Sequence, residues 1–257
     1  MSVFRAELTK ILTVRSMPWS LAAVVAVGGG GAVLIGQALR AGWEDPPADG
    51  TGMVDPLFAS TYGLTLAQLA VVVFAVLAVG GEYATGTVRI SLVATPSRGR
   101  YYAGKLGAVT ALLSVVCLVT VATAFAAGQA ALGPWGIEWG ERDTYRTAVG
   151  SWLYLMLIGW FAFGVALVVR RPALAMGVLL PLLFLGSQGL GNLPQLQQVM
   201  QFLPDSAGSF IMHLAGPPED PAFPRAYGPW TGTAILAGWA ALALAAGYAT
   251  LRRRDAG

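Results

Sequence analysis

Charge is what this sequence has least of: 11% of its 257 residues are Asp, Glu, Lys or Arg, against roughly a quarter in ordinary soluble domains. That is too few to solvate a globule of this size, so length here counts membrane passes rather than soluble domains. Cysteine and histidine are nearly missing as well. The single cysteine, Cys117, excludes an intrachain disulfide and a cysteine-based metal cluster, and its place inside an apolar run gives it a packing role. The single histidine, His213, excludes a multi-histidine metal site and reads as an interfacial or packed residue. No paired carboxylates lie close together within an apolar segment, so no local constellation supports acid–base catalysis. No catalytic residue, metal ligand or cofactor-binding residue is expected.

What the sequence has in quantity is apolar length, 56% of residues being hydrophobic. Six runs stand out, at 18–39, 57–80, 106–132, 148–169, 173–190 and 230–251. Each approaches the roughly 20 residues that a helix needs to cross a hydrocarbon core about 30 Å thick. The expectation is an all-α membrane protein of six transmembrane helices, with residues 1–257 forming one transmembrane domain. The first run has a basic lead-in over 1–17, and its far flank at Arg40 lacks a small-residue cleavage pattern, so it reads as a retained span rather than a signal peptide. The fifth run is the shortest and carries Pro181, with Gly186, Gly189 and Gly191 after it, so it is expected to end early or to break into a re-entrant segment. Within 1–17, Val3, Phe4, Leu8, Ile11 and Leu12 share one half of a helical wheel, with Arg5, Thr9, Lys10 and Thr13 around the other. That pattern suits an interfacial helix, the alternative being a frayed basic tail.

The net charge of +3 is explained by membrane orientation rather than nucleic-acid binding, because the basic residues cluster between the apolar runs. Arg5, Lys10, Arg15, Arg89, Arg98, Arg100, Lys105, Arg170, Arg171, Arg252, Arg253 and Arg254 fall on the side that holds the N-terminus. The other side holds Arg40, Arg142, Arg146 and Arg225. Under the positive-inside rule both termini are cytoplasmic. Trp19, Trp43, Tyr62, Tyr83, Trp135, Trp139, Trp152, Trp230 and Tyr248 lie near run ends, where amphipathic rings prefer the headgroup level, whereas Trp160 and Trp239 fall mid-run as packing residues.

A driven transporter needs an energy source, and none is evident within the chain. No run contains an ionisable residue in its interior, which a proton or cation relay would require. Residues 99–105 match the first seven positions of a phosphate-loop pattern, but Leu106 stands where a hydroxyl should hold magnesium, two tyrosines occupy the loop, and no soluble strand precedes it. The four glycines at 28–31 lie within a run and are read as permitting close helix approach.

The long polar connection after the second run is the remaining feature. Thr87 is placed to cap a short helix, Pro96 to stop it, and Ile90, Leu92 and Val93 to give it an apolar surface suited to a groove in a cytoplasmic partner. A solvated basic loop obeying the positive-inside rule is the alternative. Here the sequence resembles the permease subunits of type-2 ATP-binding-cassette exporters. The resemblance rests on an acidic residue, Gly-Thr, a basic residue, a leucine, a proline and a second basic residue, matched by Glu82, Gly86, Thr87, Arg89, Leu92, Pro96 and Arg98. It extends to Arg5, Glu7, Lys10 and Arg15 before the first run, to segment 202–208 and to the basic ending at 252–254.

The resemblance implies a permease in a bacterial inner membrane, paired with a second permease copy or paralogue and with ATP-binding-cassette ATPase subunits that carry the ATP and magnesium. It also implies that 87–96 is a coupling helix entering the ATPase, anchored by Glu82 and Arg98, and that 191–212 contains short re-entrant helices rather than an ordinary outer loop. A passive channel or membrane scaffold is the rival from another class. The cargo is not legible in spans rich in Ala, Leu, Val and Gly.

Overall fold

The computed structural model describes residues 3–44, 55–95, 97–137, 140, 144–188, 197–212 and 226–253. Among these the chain is helical throughout its regular structure, with no strand. The helices are α1 (Val3–Thr13), α2 (Ser16–Glu44), α3 (Leu57–Thr85), α4 (Thr87–Ala94), α5 (Arg98–Leu132), α6 (Thr144–Val169), α7 (Pro172–Gln188), α8 (Gln197–Met200), α9 (Pro204–Ser209) and α10 (Pro229–Arg253). Five of them, α2, α3, α5, α6 and α10, are long and apolar enough to cross a membrane. This is an all-α, multi-pass membrane architecture.

Helices α3 and α6 form the centre, with 72% and 67% of their most apolar windows buried, while α10 has 22% buried and faces outward. A helix that is apolar all round suits both places, since one side meets protein and the other meets lipid. The core is built from Phe74, Leu113, Tyr154, Leu155, Ile158, Phe163 and Leu179, all essentially inaccessible. Small residues set the closest contacts. A Cβ at Gly63 of α3 would lie 2.4 Å from the carbonyl oxygen of Gly28 on α2, and one at Gly164 of α6 would lie 2.4 Å from the Ala243 carbonyl carbon on α10. In lipid, where apolar surface has no tendency to hide from its solvent, such approach is a main source of helix association. The glycines at 28–31 therefore do what their sequence suggests at Gly28 and Gly31, while Gly30 faces open space.

Two boundaries differ from the sequence reading. Helix α5 begins at Arg98 rather than near 106, because Ser97 caps it, its side chain accepting from the Arg100 N–H at 3.4 Å. The near-match to a phosphate loop at 99–105 is consequently a helix turn. Pro181 does not end or break α7, which stays helical to Gln188. Proline removes one helical N–H, a loss that membrane helices tolerate. At 17 residues α7 falls short of the five long helices.

The ends of the bundle are distinguishable by contact. At one end Arg170, which closes α6 in the left-handed region (φ 61), donates to the Thr250 carbonyl of α10 at 3.1 Å and lies over the Tyr83 ring of α3. Here α1, the end of α3, α4, the start of α5, the α6–α7 turn and the end of α10 meet, and this is the basic end. At the opposite end Gln129 of α5 donates to the Pro56 carbonyl at 3.0 Å and to Ser60 at 3.1 Å, holding the start of α3.

Candidate functional site

The site begins where α3 stops. Gly86 takes a left-handed conformation (φ 71) that ends α3 and starts α4, and its N–H reaches back to the Tyr83 carbonyl at 3.4 Å. Glycine adopts this region without steric cost, so the chain turns here without a side-chain cap. Thr87 is therefore the first helical residue and not the cap expected from the sequence. Its hydroxyl sits 2.7 Å from that of Thr85. Helix α4 ends at Ala94, with the Thr95 N–H bonded to the Ser91 carbonyl at 3.0 Å. Pro96 lies outside the described residues.

Eight residues are too few to hold a helix in isolation. Val88 anchors α4 by burial, while Arg89, Ile90 and Val93 face outward, Ile90 at 72% and Val93 at 82% exposure. Leu92 is half-buried. The exposed apolar pair is thus Ile90 and Val93, and Leu92 belongs partly to the packing side.

Glu82 and Arg98 each make contacts with other helices of the basic end. Arg98 donates to the carbonyls of Leu251 and Arg252 at 2.8 and 2.9 Å, covering the end of α10. Glu82 is the hub of a charge network joining four helices. Its Oε1 lies 2.7 Å from Lys10 Nζ of α1 and 2.8 Å from Lys105 Nζ of α5, and its Oε2 accepts from the Tyr101 hydroxyl at 2.6 Å. Lys105 also pairs with Glu7 of α1 at 2.8 Å and donates to the Ala78 carbonyl at 3.3 Å. Lys10 pairs with Glu7 as well and donates to Ser91 of α4 at 3.3 Å. Glu7 and Lys105 are almost fully buried. Two carboxylates and two ammoniums balance, which makes burial affordable where a lone charge would not be. Burial pulls the Lys10 pKa down, but the bonds to Glu7 and Glu82 outweigh it and leave the group above its ordinary 10.5.

No protein-family model matches this chain, and no curated protein matches it.

The sequence reading placed Glu82 in this region but missed Lys105 and Tyr101 as its partners. One signal was present: the chain has 16 basic residues, and Lys10 and Lys105 are its lysines among arginines. A compact ammonium with three rotatable donors suits a crowded node better than a planar guanidinium.

A second polar cluster lies toward the opposite end. Residues 204–212, α9 and the 3-10 turn after it, are buried throughout. They wedge between α6 and α10: a Cβ at Gly208 would strike Leu236 and Tyr154, and one at Gly232 would lie 2.3 Å from the Ala207 carbonyl oxygen. Asp205 and Gln68 both bond the Tyr154 hydroxyl, and all three side chains are buried. A carboxylate is thus buried among the helices, within the segment that the resemblance reads as re-entrant. Trp160 donates to Thr110 at 2.9 Å and Trp239 to the Phe202 carbonyl at 2.9 Å, so both pack while satisfying their indole N–H. His213 and Arg254 lie outside the described residues.

Proposed function

We propose that this chain is the membrane-spanning permease subunit of a type-2 ATP-binding-cassette exporter, with α4 as the helix that couples it to a separate ATPase. The observation that carries the reading is α4 itself: a short helix at the basic end, tied to α1, α3 and α5 on one side and presenting Ile90 and Val93 on the other. An apolar pair at helical spacing beside Arg89 suits insertion into a groove. Glu82, Gly86, Thr87, Leu92 and Arg98 then position α4 rather than enter the partner.

Six crossings follow in this reading. Helix α6 ends at the basic end and α9 lies beside the first half of α6, so α7 carries the chain back across. Its 17 residues rise about 25 Å, close to the thickness of a bilayer core. Both termini are then cytoplasmic, as the arginine distribution favours, and α1 lies in the interface beside Gly104 and Gly107 of α5. Segment 197–212 forms the re-entrant outer element. A second permease copy or paralogue completes the assembly, in a bacterial inner membrane, with ATP and magnesium held by the ATPase.

The test is copurification. Ile90→Ser combined with Val93→Ser removes apolar surface worth about 1.5–3 kcal/mol per side chain at a packed contact, so the genomic-neighbour ATPase should no longer copurify while the variant still inserts. Retained ATPase together with unchanged transport would sink the coupling assignment. Transport that persists with the ATPase nucleotide site disabled would favour a passive channel.

A further inference from the structure

Among the described residues of the basic end the carboxylates of Glu7 and Glu82 pair with lysines, whereas two of its arginines line a recess of their own. At the end of α10 a cavity of about 370 Å³ is lined by Tyr248, Ala249, Arg252 and Arg253. Arg252 lies over the Tyr248 ring at 5.8 Å, and both arginine side chains are exposed. No described carboxylate lines the cavity. A helix C-terminus ordinarily presents unpaired carbonyls that repel anions. Here Arg98 covers the carbonyls of Leu251 and Arg252, and Arg170 covers that of Thr250. The negative end of α10 is therefore covered by the guanidiniums of Arg98 and Arg170, and no carboxylate among the described residues lining the cavity opposes Arg252 and Arg253.

The level of the cavity decides what kind of anion fits. Tyr248 packs against Tyr102 at 5.1 Å, and Tyr83 lies nearby under Arg170, so the recess sits in a layer of tyrosines of the kind that marks the headgroup region. Helix α10 is also the most outward-facing of the long helices. Below the cavity its exposed face continues through Ala246, Ala245 and Leu242, a shallow apolar track open to lipid. Ile90 and Val93, by contrast, belong to a different helix with its own exposed face.

We infer that the cavity formed by Tyr248, Ala249, Arg252 and Arg253 binds the phosphodiester headgroup of an anionic glycerophospholipid, with an acyl chain lying along α10. Two guanidiniums offer bidentate donors to phosphate oxygens, and basic recesses at the ends of membrane helices are suited to such headgroups. This site does not depend on the transport reading.

The experiment uses the full chain, extracted from bilayers of equal parts phosphatidylglycerol and phosphatidylcholine, with retained lipid read by native mass spectrometry. Arg252→Gln with Arg253→Gln should lower retained phosphatidylglycerol at least about tenfold. Arg252→Lys with Arg253→Lys should give an intermediate loss. Arg5→Gln with Arg15→Gln removes the same charge elsewhere at the basic end and should leave retention unchanged. Melting temperatures of the variants, expected to match the parent, show that folding is intact. Equal loss in the Arg5/Arg15 control would mean general charge attraction and overturn the site. Displacement of the lipid by millimolar inorganic phosphate would assign the recess to a free anion and overturn the lipid. Unchanged lipid with loss of a copurifying ATPase would assign the arginines to a protein partner, with the same consequence.

Discussion

Lys105→Met isolates the charge network at the basic end. Lys105 is 2% exposed, and its ammonium lies 2.8 Å from a carboxylate oxygen of Glu7 and 2.8 Å from one of Glu82. At an effective dielectric of about 20, each contact represents about 6 kcal/mol of gross attraction. Most of that is offset by desolvation, and breaking one member of a buried pair costs about 3–5 kcal/mol because the partner's charge is stranded. In the variant two carboxylates share Lys10, which is 34% exposed and partly screened. For a domain of this size about 2–4 °C is lost per kcal/mol, so the apparent melting temperature in lipid nanodiscs should fall by at least about 6 °C. The decisive arm is Glu7→Gln added to Lys105→Met, which restores one acid to one base and should recover most of the loss. If Lys105→Met alone melts with the parent, the buried network does not stabilise the bundle. If the second substitution deepens the loss, charge balance is not the reason.

Gly63→Ala should destabilise the bundle by about 1–3 kcal/mol through overpacking, because its Cβ would meet the Gly28 carbonyl oxygen at 2.4 Å, while Gly30→Ala, which faces open space, should be neutral in the same thermal-melt assay. The raised pKa of Lys10 means that its stabilisation is fully present below its ordinary value and is lost as pH rises through the higher folded value. The melting difference between the parent and Lys10→Met should therefore stay constant from neutral pH to about 10 and shrink only above that. Asp205→Ala strips a partner from the buried Tyr154 hydroxyl and should cost about 1–3 kcal/mol, more than Asp205→Asn, which keeps an acceptor; equal losses for the two would argue against a bonded cluster.

Five long helices were legible because a span needs about 20 apolar residues and little else. The shortened connection was not, since Tyr101 and Lys105 look like loop residues until their burial against Glu82 and Glu7 is seen. Helicity through Pro181 was missed for a related reason: proline punctuates helices in water, whereas in lipid the alternative to a helix is an unbonded backbone. Glu82 and Arg98 were legible as charges flanking α4 but not as members of separate contacts, one with lysines and one with the carbonyls of α10. The burial of Asp205 was not legible, because it depends on Gln68 and Tyr154, far away in sequence.

The strength of the contacts around α4 is graded, and the grading determines how it responds to a load. Glu7, Tyr101 and Lys105 are the most buried members of the network, and their contacts with one another and with Glu82 bind α1, α3 and α5 into one node. Helix α4 joins that node through links that include the 3.3 Å bond from Lys10 to Ser91, the burial of Val88 and the turn at Gly86. In the proposed coupling reading, a load at Ile90 and Val93 is expected to strain the longer Ser91 contact before the buried pairs of Lys105.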